Sequence, residues 1–155
     1  MFLLITFFVF TTALTAPMAM NIVVPYDKIP ITDDVCESCV LTVLLHNNNR
    51  IVYYEGDLKN DPPVKETGYA AGEIRNVLMQ KMNSVKRIRG DADQFVLIIK
   101  PSAASHFKNF VDITDEVTIC QVKRYYIDEL NEADKRILLK TNKNKAKRTK
   151  EKRSL

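Results

Sequence analysis

The chain opens on sixteen residues, MFLLITFFVFTTALTA, in which only Thr6, Thr11, Thr12 and Thr15 interrupt the apolar run, and no charged residue occurs before Asp27. At about 1.5 Å per residue a helix of this length reaches about 24 Å, short of a hydrocarbon core of about 30 Å. Three readings compete. A secretory signal wants a basic start and small residues before its cleavage point, yet no Lys or Arg precedes Lys28, Leu14 stands where a small residue belongs, and Pro17 follows Ala16. A buried soluble helix wants a polar face, whereas threonine hydroxyls can bond back to their own helix carbonyls and so tolerate lipid. A membrane helix over residues 1–16, with its first turns outside this chain, fits the pattern best.

Past Pro17 the period changes. Residues 17–39 read as a linker that carries Pro25, Pro30 and several acidic residues, with one short apolar stretch, Asn21 to Pro25, able to form an edge strand. Val40–Leu45 (VLTVLL) and Ile51–Tyr54 (IVYY) are rich in branched and aromatic residues, and three asparagines between them tolerate positive φ, which predicts a β-hairpin. Asp57 to Gly68, with Pro62 and Pro63, reads as a loop. From Ala70 to about Lys86, Ile74, Val77, Leu78, Met82 and Val85 lay down a helical stripe, with Gly90 as its stop. Phe95–Ile99 (FVLII) predicts a central strand covered on both faces. Lys100 to Ser105 follows as a loop, with Ser105 as the expected cap of a second helix whose stripe runs from Phe107 to Thr118. Tyr125–Ile127 is a last strand, and Asn131 caps a short helix with Glu132 and Asp134 in its first turn. The pattern predicts an α+β class: a single N-terminal transmembrane helix, then a small mixed β-sheet domain over residues 40–139 with two packed helices.

Charge divides the chain unevenly. Of a net charge of +4, the segment Lys135 to Leu155 contributes +9, so the remainder is −5. The basicity belongs to a tail at residues 140–155, KTNKNKAKRTKEKRSL, which has no apolar periodicity and is expected to be disordered. Such a tail can attract nucleic acid, acidic lipid or another polyanion, though most such runs are solvated ends.

Catalytic and metal-binding chemistry is poorly represented. With four glycines there is no phosphate-cradling loop, and no nucleophile elbow or paired ligand spacing occurs. Cys36 and Cys39 form a CxxC, but Cys120, His46 and His106 are too scattered to complete a zinc site, and the pair runs into a strand rather than a helix. The pair therefore reads as incidental, or as a local disulfide in an oxidising compartment. Asp112, Asp115 and Glu116 share the second helix, where a solvated face is the plainer reading than a cation or acid–base site. Lys100 and Pro101 either shape a crevice or simply end their strand, the latter being the plainer. His46 and His106 read as surface or structural residues. No enzyme, cofactor or metal site is expected.

In this order the pieces acquire a resemblance. FLLITFFVFTTALTAPMAMNIVVP resembles the end of the transmembrane helix and the start of the periplasmic segment in the ExbD/TolR family of biopolymer transport proteins. VLTVLLHNNNRIVYYEG and QFVLIIKPSAASHFKNFVDITDEVTICQVKRYYIDEL resemble two blocks of that family's periplasmic domain, so the likeness spans Phe2 to Leu130. The resemblance implies a single-pass inner-membrane protein with its C-terminal domain in the periplasm, a homodimer working with an ExbB/TolQ-like polytopic partner and a TonB/TolA-like energiser. Proton flow through such a complex drives uptake across the outer membrane, and no nucleic acid is involved; the alternative is a secreted or periplasmic binding domain with a cleaved leader. It also implies a proton-carrying aspartate ahead of the FLLITFF-like run, and no residue from Met1 to Tyr26 supplies that group. No proton-relay residue is carried over: either the start codon is placed inside the gene and the protein is longer, which is the favoured reading, or this is a shortened copy that docks without conducting. By position, Ile22, Val23 and Val24 carry over as a strand that pairs with another chain, by β-augmentation.

Overall fold

The computed structural model describes residues 2–14, 36–70 and 72–153; Ile22, Val23 and Val24 lie outside the described residues. Phe2–Leu14 is a helix, α1, of 13 residues. Thr6 Oγ1 donates to the carbonyls of Phe2 and Leu3 at 3.0 Å, and Thr11 does the same to Phe7 and Phe8, so both hydroxyls are satisfied within the helix. Among the described residues no helix is long and apolar enough to cross a membrane.

The remaining elements are β1 (Val40–His46), β2 (Arg50–Glu55), β3 (Lys65–Gly68), α2 (Glu73–Arg89), β4 (Val96–Pro101), α3 (Phe107–Ile119), β5 (Arg124–Ile127) and α4 (Glu132–Arg153). They build a mixed α+β fold around a five-stranded sheet in the order β3-β2-β1-β4-β5. The β1–β2 and β2–β3 pairs are antiparallel, and the β1–β4 and β4–β5 pairs parallel. β1 is the middle strand, which explains its continuous apolar run: six of its seven residues are buried. β4, expected at the centre, is interior but lies between β1 and β5.

One face of the sheet carries the main core. Leu41, Val43, Leu45, Ile51, Leu97 and Ile99 meet Ile74, Leu78 and Val85 of α2 and Ile113 and Val117 of α3. α2 ends as expected, with Gly90 at φ +79° donating its N–H to the Lys86 carbonyl. α3 starts one residue later than expected: His106, not Ser105, is its cap, and the Asn109 side chain accepts the His106 N–H at 3.0 Å.

Two expectations are corrected. The stretch expected as a loop contains β3, a polar edge strand of sequence KETG that pairs Thr67 with Ile51 and Lys65 with Tyr53. The helix at Asn131 is not short, because α4 has 22 residues and runs to Arg153 through the tail expected to be disordered. Lys, Arg, Glu and Ala are good intrinsic helix formers, so a well-anchored first half propagates into them without an apolar stripe. That first half covers part of the second sheet face, where Leu138 packs with Leu44, Val52 and Tyr54. The sheet thus carries three helices rather than two, with α2 and α3 on one face and α4 on the other.

Candidate functional site

The second face is only partly covered by α4. The rest is a cleft of about 630 Å³ whose floor is made by Val40 and Thr42 of β1, Val96 and Ile98 of β4, and Tyr126 of β5. Strand alternation puts these residues there, because Leu41, Leu97 and Ile99 point into the opposite core. The turn Leu58–Asn60 forms one wall, and Asn131 and Ala133 at the start of α4 close one end.

Lys100 sits at that end and is tied into a buried polar network. Asp134, 0% exposed, receives the Tyr54 hydroxyl at 2.9 Å, the Lys100 ammonium at 2.8 Å and the Asn131 N–H at 3.1 Å. Asn131 reciprocates by accepting the Asp134 N–H at 2.8 Å, a capping box that fixes the first turn of α4. Asp128, partly exposed, lies 3.4 Å from the same ammonium. Burial pushes the Tyr54 hydroxyl well above its ordinary range, and the Asp134 charge adds to the effect. Every oxygen of the buried carboxylate is matched, so the network clamps α4 to β2 and β4. Of the two readings of Lys100 and Pro101 both hold: Lys100 lines the cleft, and Pro101 is the last residue of β4.

The sequence signalled parts of this network. Asn131 and the early acids of α4 were legible as a cap, but Tyr54 was not, since its hydroxyl acquires its role only through contact with a residue 80 positions away. A lysine closing an FVLII run was the remaining clue, because a cation there must find a partner or leave the strand.

The other candidates fall elsewhere. Asp112, Asp115 and Glu116 line a separate crevice with Glu73 and Lys108. Glu116 is held by Arg75 of α2 in a two-point contact at 2.7 and 2.8 Å, which joins α3 to α2, and Asp112 is held by Lys108 one turn before it on α3 at 2.6 Å. Among the described residues no group of three or more His, Cys, Asp or Glu could hold a metal ion. Cys36 and Cys39 form a disulfide at the entry to β1, while Cys120 is a buried free thiol. His46 is buried, with Nε2 3.1 Å from the Asn142 side-chain oxygen, and His106 is exposed at the start of α3.

β5 is an edge strand beside the cleft, and among the described residues nothing pairs with its outer edge. A sheet edge next to an apolar floor suits an extended peptide: the edge offers main-chain partners and the floor takes alternate side chains. No curated protein and no solved structure matches the chain. The model of the family described as biopolymer transport protein ExbD/TolR matches residues 1–131, from before α1 to the cap of α4. With α1, the whole sheet, α2 and α3 inside that match, the chain belongs to the ExbD/TolR family of biopolymer transport proteins.

Proposed function

We propose that the protein is an inner-membrane accessory subunit of a transport complex driven by the proton-motive force, anchored through α1 with its α+β domain in the periplasm. The observation that carries this reading is the family match across both the charge-free α1 and the sheet domain. The Cys36–Cys39 disulfide supports it, since such bonds persist in oxidising compartments. On this reading an ExbB/TolQ-like polytopic protein surrounds the anchors of a homodimer, and a TonB/TolA-like energiser docks on the periplasmic domain. Ile22, Val23 and Val24 pair with another chain. The β5 edge and the cleft receive an extended segment of the energiser. α1 contains no ionisable side chain, so the described residues supply anchoring and docking, and proton passage is assigned to none of them.

Two measurements test the reading. The full chain expressed in a Gram-negative host should stay with the inner membrane through high salt and alkaline carbonate; release by either treatment would remove α1 as an anchor. A photo-crosslinker at Val23 should yield an adduct of two copies of the chain or of the chain with its energiser, and an adduct with neither would end the pairing assignment.

A further inference from the structure

Beyond Asn142 the character of α4 changes. Every residue from Lys143 to Lys152 is exposed, and from Lys140 to Arg153 there are eight Lys or Arg against the single acid Glu151. Ala146 is the only apolar residue in that stretch. A helix without an apolar stripe can neither insert into a bilayer nor pack as a partner helix. Its like charges recur at three- and four-residue spacing, Lys143 with Lys147, Lys147 with Lys150, Lys145 with Arg148 and Arg148 with Lys152, each pair destabilising an isolated helix. A surface of opposite sign relieves that repulsion.

The arm is aimed, not loose. Its root is fixed by Leu138 in the second core, by buried Thr141, and by Asn142, whose side-chain oxygen accepts from Arg50 Nη2 at 2.6 Å and lies 3.1 Å from His46 Nε2. Where the arm leaves the sheet, Asn47, Asn48 and Arg50 of the hairpin and Lys145 and Lys150 of α4 line a crevice of about 450 Å³. The carboxylate nearest the Arg50 guanidinium is Glu66, 3.6 Å from Nη1. Three cations against that one acid leave the crevice positive.

We propose that the outer half of α4, Lys140 to Arg153, with the crevice at its root, is a docking surface for the phosphate-bearing headgroups of an anionic phospholipid bilayer. The inference rests on the reading of α1 as an anchor. An apolar helix with Phe2, Leu3, Leu4, Phe7, Phe8 and Phe10 all exposed holds the chain at a bilayer, and the arm then meets headgroups at high local concentration. Nucleic acid is disfavoured, because no aromatic side chain is interleaved with the cations to stack on bases. The arm lies beyond the residues 1–131 matched by the family model. Its role is orienting: lipid contact holds the domain at one tilt to the membrane and so sets which way the β5 edge faces.

The experiment compares the full chain in nanodiscs of phosphatidylcholine alone with nanodiscs that also contain phosphatidylglycerol, reading tryptic cleavage after residues 143–153. Cleavage should slow about tenfold or more in the anionic discs, since each basic residue near an anionic surface is worth about a fivefold change and several act together. It should recover at about 1 M salt, where the screening length falls to about 3 Å. The variant K143E/K147E/K150E, which keeps four other tryptic sites at Lys145, Arg148, Lys152 and Arg153, should lose the protection with its unfolding midpoint unchanged. Equal cleavage in both discs overturns the proposal. So does equal protection by inorganic phosphate at the same phosphorus concentration, or stronger protection by duplex DNA. A chain that leaves the phosphatidylcholine discs but binds the anionic ones reversibly with salt removes the anchor and upholds the lipid surface; one that leaves both removes both.

Discussion

At the scale of single residues, Lys100 and Asp134 show how a charged pair can sit inside a small core. Asp134 is fully buried and Lys100 nearly so, and the pair is tolerable because the carboxylate also holds Tyr54 and the Asn131 N–H. Lys100→Ala leaves that carboxylate without its cation and should cost about 3–5 kcal/mol in urea unfolding. Replacing both with leucine-sized residues, K100M with D134L, should cost clearly less, because no buried charge is stranded. Tyr54 gives a pH dependence of defined sign. Its hydroxyl stays protonated in the fold above the ordinary tyrosine value of about 10, whereas the unfolded chain releases the proton there. The unfolded state therefore binds fewer protons above about pH 10, and stability falls as pH rises through that range. Tyr69, also raised chiefly by burial, acts in the same direction. Tyr54→Phe should flatten the alkaline slope of stability by one proton's share, while a slope unchanged in that variant would remove Tyr54 from the network.

At the scale of elements, what the sequence disclosed follows from how each element is buried. The β1–β2 hairpin, α2, β4 and α3 were legible because each buries an apolar face, so its period is written in residues such as Leu41, Val43, Ile74, Leu78 and Ile113. β3 was not, because Lys65 and Glu66 are exposed on an edge strand that has no core to face, and Pro62 and Pro63 next to it read as loop. The extension of α4 was missed for the same reason: past Leu139 the helix rests on propensity and on its clamped root, neither of which leaves a hydrophobic period. Half of the cleft was visible, namely Lys100 and the Asn131 cap, while Tyr54 and Tyr126 join it only through sheet order. Gly90 gives an element-scale check. It holds φ +79° with open space around its α-carbon, so Gly90→Ala meets no clash and should lose only the backbone preference, about 1 kcal/mol, in thermal unfolding of the chain. A much larger loss would mean that the α2 terminus carries packing beyond its cap.

At the scale of the whole molecule, the fold and the basic arm are joined at one residue. The Asn142 side chain bonds α4 to the sheet, accepting from Arg50 and meeting His46, and after it every residue to Lys152 is exposed. Cutting the chain after Asn142 therefore removes charge and no core, and stability should stay within about 0.5 kcal/mol of the full chain, as for surface changes generally. Cutting after Arg136 instead exposes Leu44, Val52 and Tyr54 by removing Leu138, which alone should cost about 1.5–3 kcal/mol. It also removes the Asn142 oxygen that His46 and Arg50 share, while Arg50 keeps the Asn47 side-chain oxygen at 3.1 Å. The two truncations differ in function as well as stability. On the proposed anchoring through α1, the chain ending at Asn142 should fractionate with the inner membrane as the full chain does, and loss of retention on that cut would transfer the anchoring role from α1 to the arm.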